Sequence, residues 1–267
     1  MSTRRGFLKG IATRGAKPRR GGLLYKRMPV LFVGSLVASV CLAAPVKVAC
    51  VGDSITAGTK LKDPRHEAYP AQLQAVLGGG YAVRNFGVGG LCVYRHLSWG
   101  KSPRAWEYSV ACTNALVWKP DIVVAGLGAN DWEEYHKEFA FDEDGNMMLP
   151  RGTFRGQYVA LLKRFREANP NVRIVMWTKL SPLSHGHRCY GSPIPVVMRA
   201  DLEAVAAEVG AKPFDAFAPM LPYVKTGFAP DGIHPGPEAA GALARAVAEA
   251  VRMSAAQPGE GQSQTIW

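Results

Sequence analysis

Ser54, in Gly52-Asp53-Ser54-Ile55-Thr56, and His234, in Asp231-Gly232-Ile233-His234, are residue types that together can make an activated nucleophile. A serine hydroxyl attacks a carbonyl carbon usefully only when an adjacent base takes its proton. An aspartate three residues before the histidine can bind the far ring nitrogen and leave the near one to face that hydroxyl. Such an attack puts negative charge on the carbonyl oxygen, and N–H donors must receive it. Three candidates exist: the backbone of Ser54, at the expected start of a helical turn; the backbone of Gly87, where no Cβ blocks approach; and the side-chain amide of Asn130. Singly, each residue has a plainer reading. Gly-Asp-Ser is a common turn, Gly87 to Gly90 suit a strand-ending loop, Asn130 suits a helix cap, and His234-Pro235 suits a helix entry.

The elements around these residues bear on the choice. From residue 46 the chain alternates short apolar runs with amphipathic stretches. Strands are expected at Val46–Val51, Tyr81–Phe86, Asp121–Leu127, Val172–Trp177 and within Lys212–Phe217. Helices are expected at Tyr69–Leu77, about 105–117, Thr153–Ala168, Pro195–Val209 and Pro237–Met253. The third strand is almost wholly apolar, as when both faces of a sheet are covered. Strand and helix in repeated alternation imply parallel pairing and a three-layer α/β/α sandwich, because each crossover needs a helix. Ligands of such sheets collect beyond the carboxyl ends of the strands. Ser54, Gly87 and Asn130 each follow a strand, and Asp231 and His234 precede the last helix.

Four blocks in this order resemble the SGNH (GDSL-like) hydrolase family over about residues 46–252. They are Gly52-Asp53-Ser54-Ile55-Thr56, Asn85-Phe86-Gly87-Val88-Gly89-Gly90, Gly128-Ala129-Asn130-Asp131 and Asp231-Gly232-Ile233-His234-Pro235. The resemblance implies a flavodoxin-like five-stranded parallel sheet of order 2-1-3-4-5 and ester hydrolysis with no metal or organic cofactor. It implies Ser54, His234 and Asp231 as catalytic residues, with Ser54, Gly87 and Asn130 forming the oxyanion hole. The helix start Ala68-Tyr69-Pro70-Ala71-Gln72-Leu73 is similar to the carbohydrate-esterase branch, which includes sialate O-acetylesterase-like proteins.

Charge points to export rather than to nucleic acid. The net charge is +11 over 267 residues. Nine of the 32 basic residues lie in residues 1–43, which hold no acid, leaving 23 basic against 21 acidic residues. The basic leader precedes the apolar run Pro29–Val40 and the small residues of Cys41-Leu42-Ala43-Ala44, the order of a secretory signal. The run is short for a membrane span, and Val40 before Cys41 fits a lipoprotein signal poorly. Thr3-Arg4-Arg5-Gly6-Phe7-Leu8-Lys9 resembles a twin-arginine signal, whereas a start at Met28 would make that match accidental. The expected organisation is a leader over 1–44, one hydrolase domain over 45–253 and a loose tail over 254–267. The location is then periplasmic or extracellular, with no stable membrane anchor after cleavage.

Expected partners are a small-molecule or polysaccharide ester and no nucleic acid. Asp53, Asp131, Trp132 and His185 are expected to contact substrate. Trp99 and Trp106, like Trp132, could stack on a sugar or simply pack. Lys60, Lys62, Arg65, His66, Arg95, His96, His187 and Arg188 give the strand-end loops a polar character that suits a hydroxylated ligand. Removal of acetyl groups from O-acetylated sugars is the expected reaction. The alternatives are a lysophospholipase or thioesterase, a sugar O-acetyltransferase, and a non-catalytic carbohydrate-binding protein. Of Cys50, Cys92, Cys112 and Cys189, the pair Cys92–Cys112 is one candidate disulfide.

Overall fold

The structure is a computed structural model that describes residues 44–95, 98–99, 101–131, 140–141, 147–148, 151–180 and 194–256. The leader and the end of the tail lie outside them, as do Trp132, His185, His187, Arg188, His96 and Cys189.

Five strands form one sheet: β1 Val46–Gly52, β2 Tyr81–Gly87, β3 Ile122–Gly126, β4 Arg173–Lys179 and β5 Lys212–Asp215. All pairs are parallel, and the order is 2-1-3-4-5. Two two-residue hairpins, Ser98–Trp99 with Ser102–Pro103 and Ala140–Phe141 with Met147–Met148, stand outside this sheet and were not legible in the apolar pattern.

Side chains of the central strands alternate between two cores, as the two-residue strand period requires. Ala49, Val51, Val123, Ala125, Ile174 and Met176 face one side. Helices α4 Val110–Trp118, α5 Arg151–Ala168 and α6 Ile194–Glu208 cover that side with Cys112, Phe154, Leu162, Phe165, Leu202 and Val205. Val48, Cys50, Ile122, Val124, Val175 and Trp177 face the other side. There α3 Tyr69–Leu77, which follows the single turns α1 Ser54–Ala57 and α2 Pro64–Glu67, and α7 Pro237–Ala256 supply Tyr69, Leu73, Leu243, Ala244, Val247 and Val251. This is the three-layer sandwich expected from the alternation.

Helix ends follow local chemistry. The stretch expected as one helix over 105–117 is a 3-10 turn, Trp106–Tyr108, followed by α4. Ser109 divides them, because its side chain accepts the Cys112 N–H as an N-cap. Helix α7 runs to Ala256, three residues past the expected end. The described cysteines are buried thiols, so Cys92–Cys112 is not bridged. Cys92 Sγ instead donates to the carbonyls of Tyr94 and Arg104. Among the described residues no helix is long and apolar enough to cross a membrane.

Packing at the strand ends is tight enough to test. A Cβ built on Gly126 would lie 2.8 Å from ring carbons of the buried Trp177. Gly126→Ala should therefore destabilise the fold by about 1–3 kcal/mol, the usual effect of overpacking. Urea unfolding would read this as a lower midpoint with an unchanged slope, and an unchanged midpoint would contradict the packing described.

Candidate active site

Three strands end in register. Gly52 of β1 pairs with Gly87 of β2 on one side and Gly126 of β3 on the other. The loops that leave this row carry Ser54, the 88–94 segment and Asn130.

Ser54 is the first residue of α1, Ser54–Ala57, and is half-buried. Asp53 caps this single turn, its Oδ1 accepting the Ile55 N–H at 3.0 Å. Gly58, at φ 82°, closes it by donating to the Ser54 carbonyl at 3.0 Å. The turn packs so closely on β1 that a Cβ on Gly52 would lie 2.0 Å from Thr56 Oγ1.

His234 lies on a stitched loop. Gly236 donates to the Gly227 carbonyl and Ala229 to the His234 carbonyl, while Gly232, at φ 69°, turns the chain between Asp231 and His234. Asp231 Oδ2 is 2.8 Å from His234 Nδ1. Asp231 Oδ1 accepts the N–H groups of Ile233 at 3.0 Å and His234 at 3.1 Å. Burial works to raise the Asp231 carboxyl, but these N–H groups and the imidazole hold it below the usual carboxylate range. The other ring nitrogen, Nε2, is buried and has no partner among the described residues. Hence no hydrogen bond joins Ser54 to His234 here, as is common before substrate tightens a site.

Gly87 differs from expectation. Its N–H donates to Asn85 Oδ1 at 2.8 Å, so it is already engaged. Glycine is needed there for packing: a Cβ would lie 2.3 Å from the Ala57 nitrogen. Among the described residues, the N–H groups of this turn without a partner are those of Gly89 and Gly90. A Cβ on Gly89 would lie 3.8 Å from the Ser54 Cβ, which places this turn beside Ser54.

Asn130 Nδ2 donates to the Leu91 carbonyl at 2.9 Å, which leaves its second N–H available. The loop that carries it starts under control, because Leu127 N–H donates to the buried Tyr158 hydroxyl.

Asp53 and Asp131 are not placed to touch substrate. They are 1% and 0% exposed. Asp131 accepts the N–H of Val93, at 2.9 and 3.1 Å to its two oxygens, and that of Tyr94 at 3.0 Å. Both acids act inward, one capping α1 and the other holding the 91–94 segment. Trp106 is likewise buried, its Nε1 donating to the Phe86 carbonyl. Trp132 and His185 lie outside the described residues. Among the described residues no three metal-ligating side chains cluster.

The GDSL-like Lipase/Acylhydrolase family matches residues 50–242, and the chain belongs to that family. It is 31% identical over 214 residues to an acetylxylan esterase of Xylanibacter ruminicola, covering 78% of this chain and 43% of that protein. The chain thus spans less than half the length of that relative. Similar solved structures include Est24, a carbohydrate acetylesterase from Sinorhizobium meliloti, at 18% identity and a TM-score of 0.59. Another is the aryl esterase of M. smegmatis, at 19% identity and a TM-score of 0.56. Each alignment covers 78% of this chain and 99% of the other, and shows a shared fold.

Burial gives Asp53 a measurable signature. It pushes the carboxyls of Asp53 and Asp131 up to about 7, against backbone hydrogen bonds that lower them. In the unfolded chain an aspartate titrates near about 3.9. Between these values the folded state keeps protons that the unfolded state has lost, so stability falls as pH rises from about 4 through 7. Asp53→Asn keeps the cap but cannot titrate. Its stability, measured by urea unfolding at pH 5 and pH 8, should fall less over that interval than the wild type's. Equal falls would contradict the burial described.

Proposed function

We propose that this protein is a serine esterase that removes acetyl groups from O-acetylated carbohydrates. The observation that carries the reading is the Asp231–His234 pair, fixed at 2.8 Å through Nδ1 with Nε2 free of any hydrogen-bond partner among the described residues, on the loop preceding α7.

In this reading His234 Nε2 takes the proton of Ser54 as Oγ bonds to the ester carbonyl carbon. The oxyanion so formed is met by the Ser54 N–H, the Asn130 amide and the open N–H groups of Gly89–Gly90 in place of Gly87. Collapse re-forms the carbonyl and breaks the bond from its carbon to the ester oxygen, and His234 gives its proton to that departing sugar oxygen. Water then repeats the sequence on the acyl-serine, releasing acetate and restoring both residues. Asp231 keeps the imidazole oriented and stabilises its charged form.

An acetylated sugar is favoured over a long acyl chain on two grounds. The similar proteins include an acetylxylan esterase and a carbohydrate acetylesterase. The segment after α1 exposes Lys60, Lys62, Arg65 and His66, a polar rim that suits hydroxyl groups. The basic leader and apolar run of residues 1–44 support action outside the cytoplasm.

Turnover of p-nitrophenyl acetate and octanoate, with release of acetate from acetylated oligosaccharides, tests the proposal. Wild type should prefer the acetyl ester and deacetylate the saccharide. Ser54→Ala and His234→Ala should each lose on the order of 10⁶-fold in kcat, as removal of such members does elsewhere. Preference for octanoate would overturn the substrate, and unchanged turnover by Ser54→Ala would overturn the mechanism.

A further inference from the structure

The turn over residues 87–91 has a conformation that glycine alone does not select. Gly90 sits at φ 74°, a region glycine enters about as readily as its mirror image. Something outside the turn has to choose. Two side chains do so by gripping successive carbonyls. Asn130 Nδ2 holds the Leu91 carbonyl at 2.9 Å, and Arg104 Nε holds the Gly90 carbonyl at 3.1 Å.

Arg104 is itself held by the backbone. Its carbonyl accepts the Cys92 N–H at 2.9 Å, and the Cys92 carbonyl accepts the Trp106 N–H at 2.9 Å, a parallel bridge between the two segments. Trp106 is fully buried, with its indole N–H on the Phe86 carbonyl. The arginine is therefore mounted on the core and reaches back to the turn beside Ser54. Burial raises the Asp131 carboxyl, and the Arg104 guanidinium is a lesser influence in the opposite direction.

We infer that Arg104 is a positioning residue for the oxyanion turn, holding the Gly90 peptide so that the open N–H groups of Gly89 and Gly90 face the reacting carbonyl oxygen. This rests on the esterase reading above. A planar guanidinium suits the task, because its Nε–H lies on a rigid fork that a lysine ammonium does not reproduce. A half-buried positive charge beside the turn adds to the pull on a developing oxyanion, since it is screened less than a surface charge.

The test measures kcat and KM on p-nitrophenyl acetate for wild type, Arg104→Ala and Arg104→Lys, with Ser54→Ala as control. Loss of one oxyanion donor lowers kcat by about 100- to 1000-fold. Loss of a residue acting through the donor should lower it by roughly 10- to 100-fold, with KM within about twofold. Methylguanidinium added to Arg104→Ala should restore part of kcat, and Arg104→Lys should stay impaired despite its charge. Wild-type kcat in either variant overturns the inference, and so does a fall in kcat that methylguanidinium does not reverse. If Arg104→Ala does not fold, Arg104→Lys decides by the same kcat criterion. A wild type inactive on the ester, or as active as Ser54→Ala, would instead sink the esterase reading.

Discussion

Three of the loops at the site start from a row of three glycines, Gly87, Gly52 and Gly126, in register across adjacent strand ends. None has room for a side chain. Thr56 closes on Gly52, the Ala57 nitrogen on Gly87 and the Trp177 ring on Gly126. The row lets α1 and the indole come down onto the sheet, and three loops start from one line. A serine, a glycine turn and an asparagine that are distant in sequence become neighbours because parallel strands end together.

Beneath that line lie two buried carboxylates, Asp53 and Asp131. Burying charge is unfavourable unless hydrogen bonds compensate. Asp131 accepts two backbone N–H groups from the 93–94 segment, whereas Asp53 accepts one to cap α1 and its Oδ2 has no partner among the described residues. Asp53 ties α1 to the end of β1, and Asp131 ties the loop after β2 to the loop after β3. Asn130 and Asp131, adjacent in sequence, grip the 91–94 segment through a carbonyl and through N–H groups respectively. The 91–94 segment is thus braced by polar contacts as well as by the burial of Leu91, Val93 and Tyr94 in the core. The Asp231–His234 pair is braced by its own loop.

The sheet was legible because alternating strand and helix patterns leave parallel pairing as the natural solution. Asp231 and His234 were legible because three residues on a turn suffice to join a carboxylate to a ring. The errors came where one residue type serves two physical ends. Gly87 reads as a place where a donor can approach, but the missing Cβ makes room for α1. Asp53 and Asp131 read as charges beside a site, yet short loops turn them inward, and sequence carries no sign of that direction. Arg104 belongs to no motif: it reaches Gly90 only through the bridge between Cys92 and Ala105, a contact no local pattern encodes.

In the proposed mechanism Ser54 becomes a covalent nucleophile. A phosphonate ester that resembles the tetrahedral state tests this most directly, read by intact mass and peptide mapping after incubation. One adduct per chain, on the peptide holding Ser54 and absent when Ser54 is alanine, is the predicted result. An adduct on another residue, or none from a chain that still cleaves acetyl esters, would contradict it.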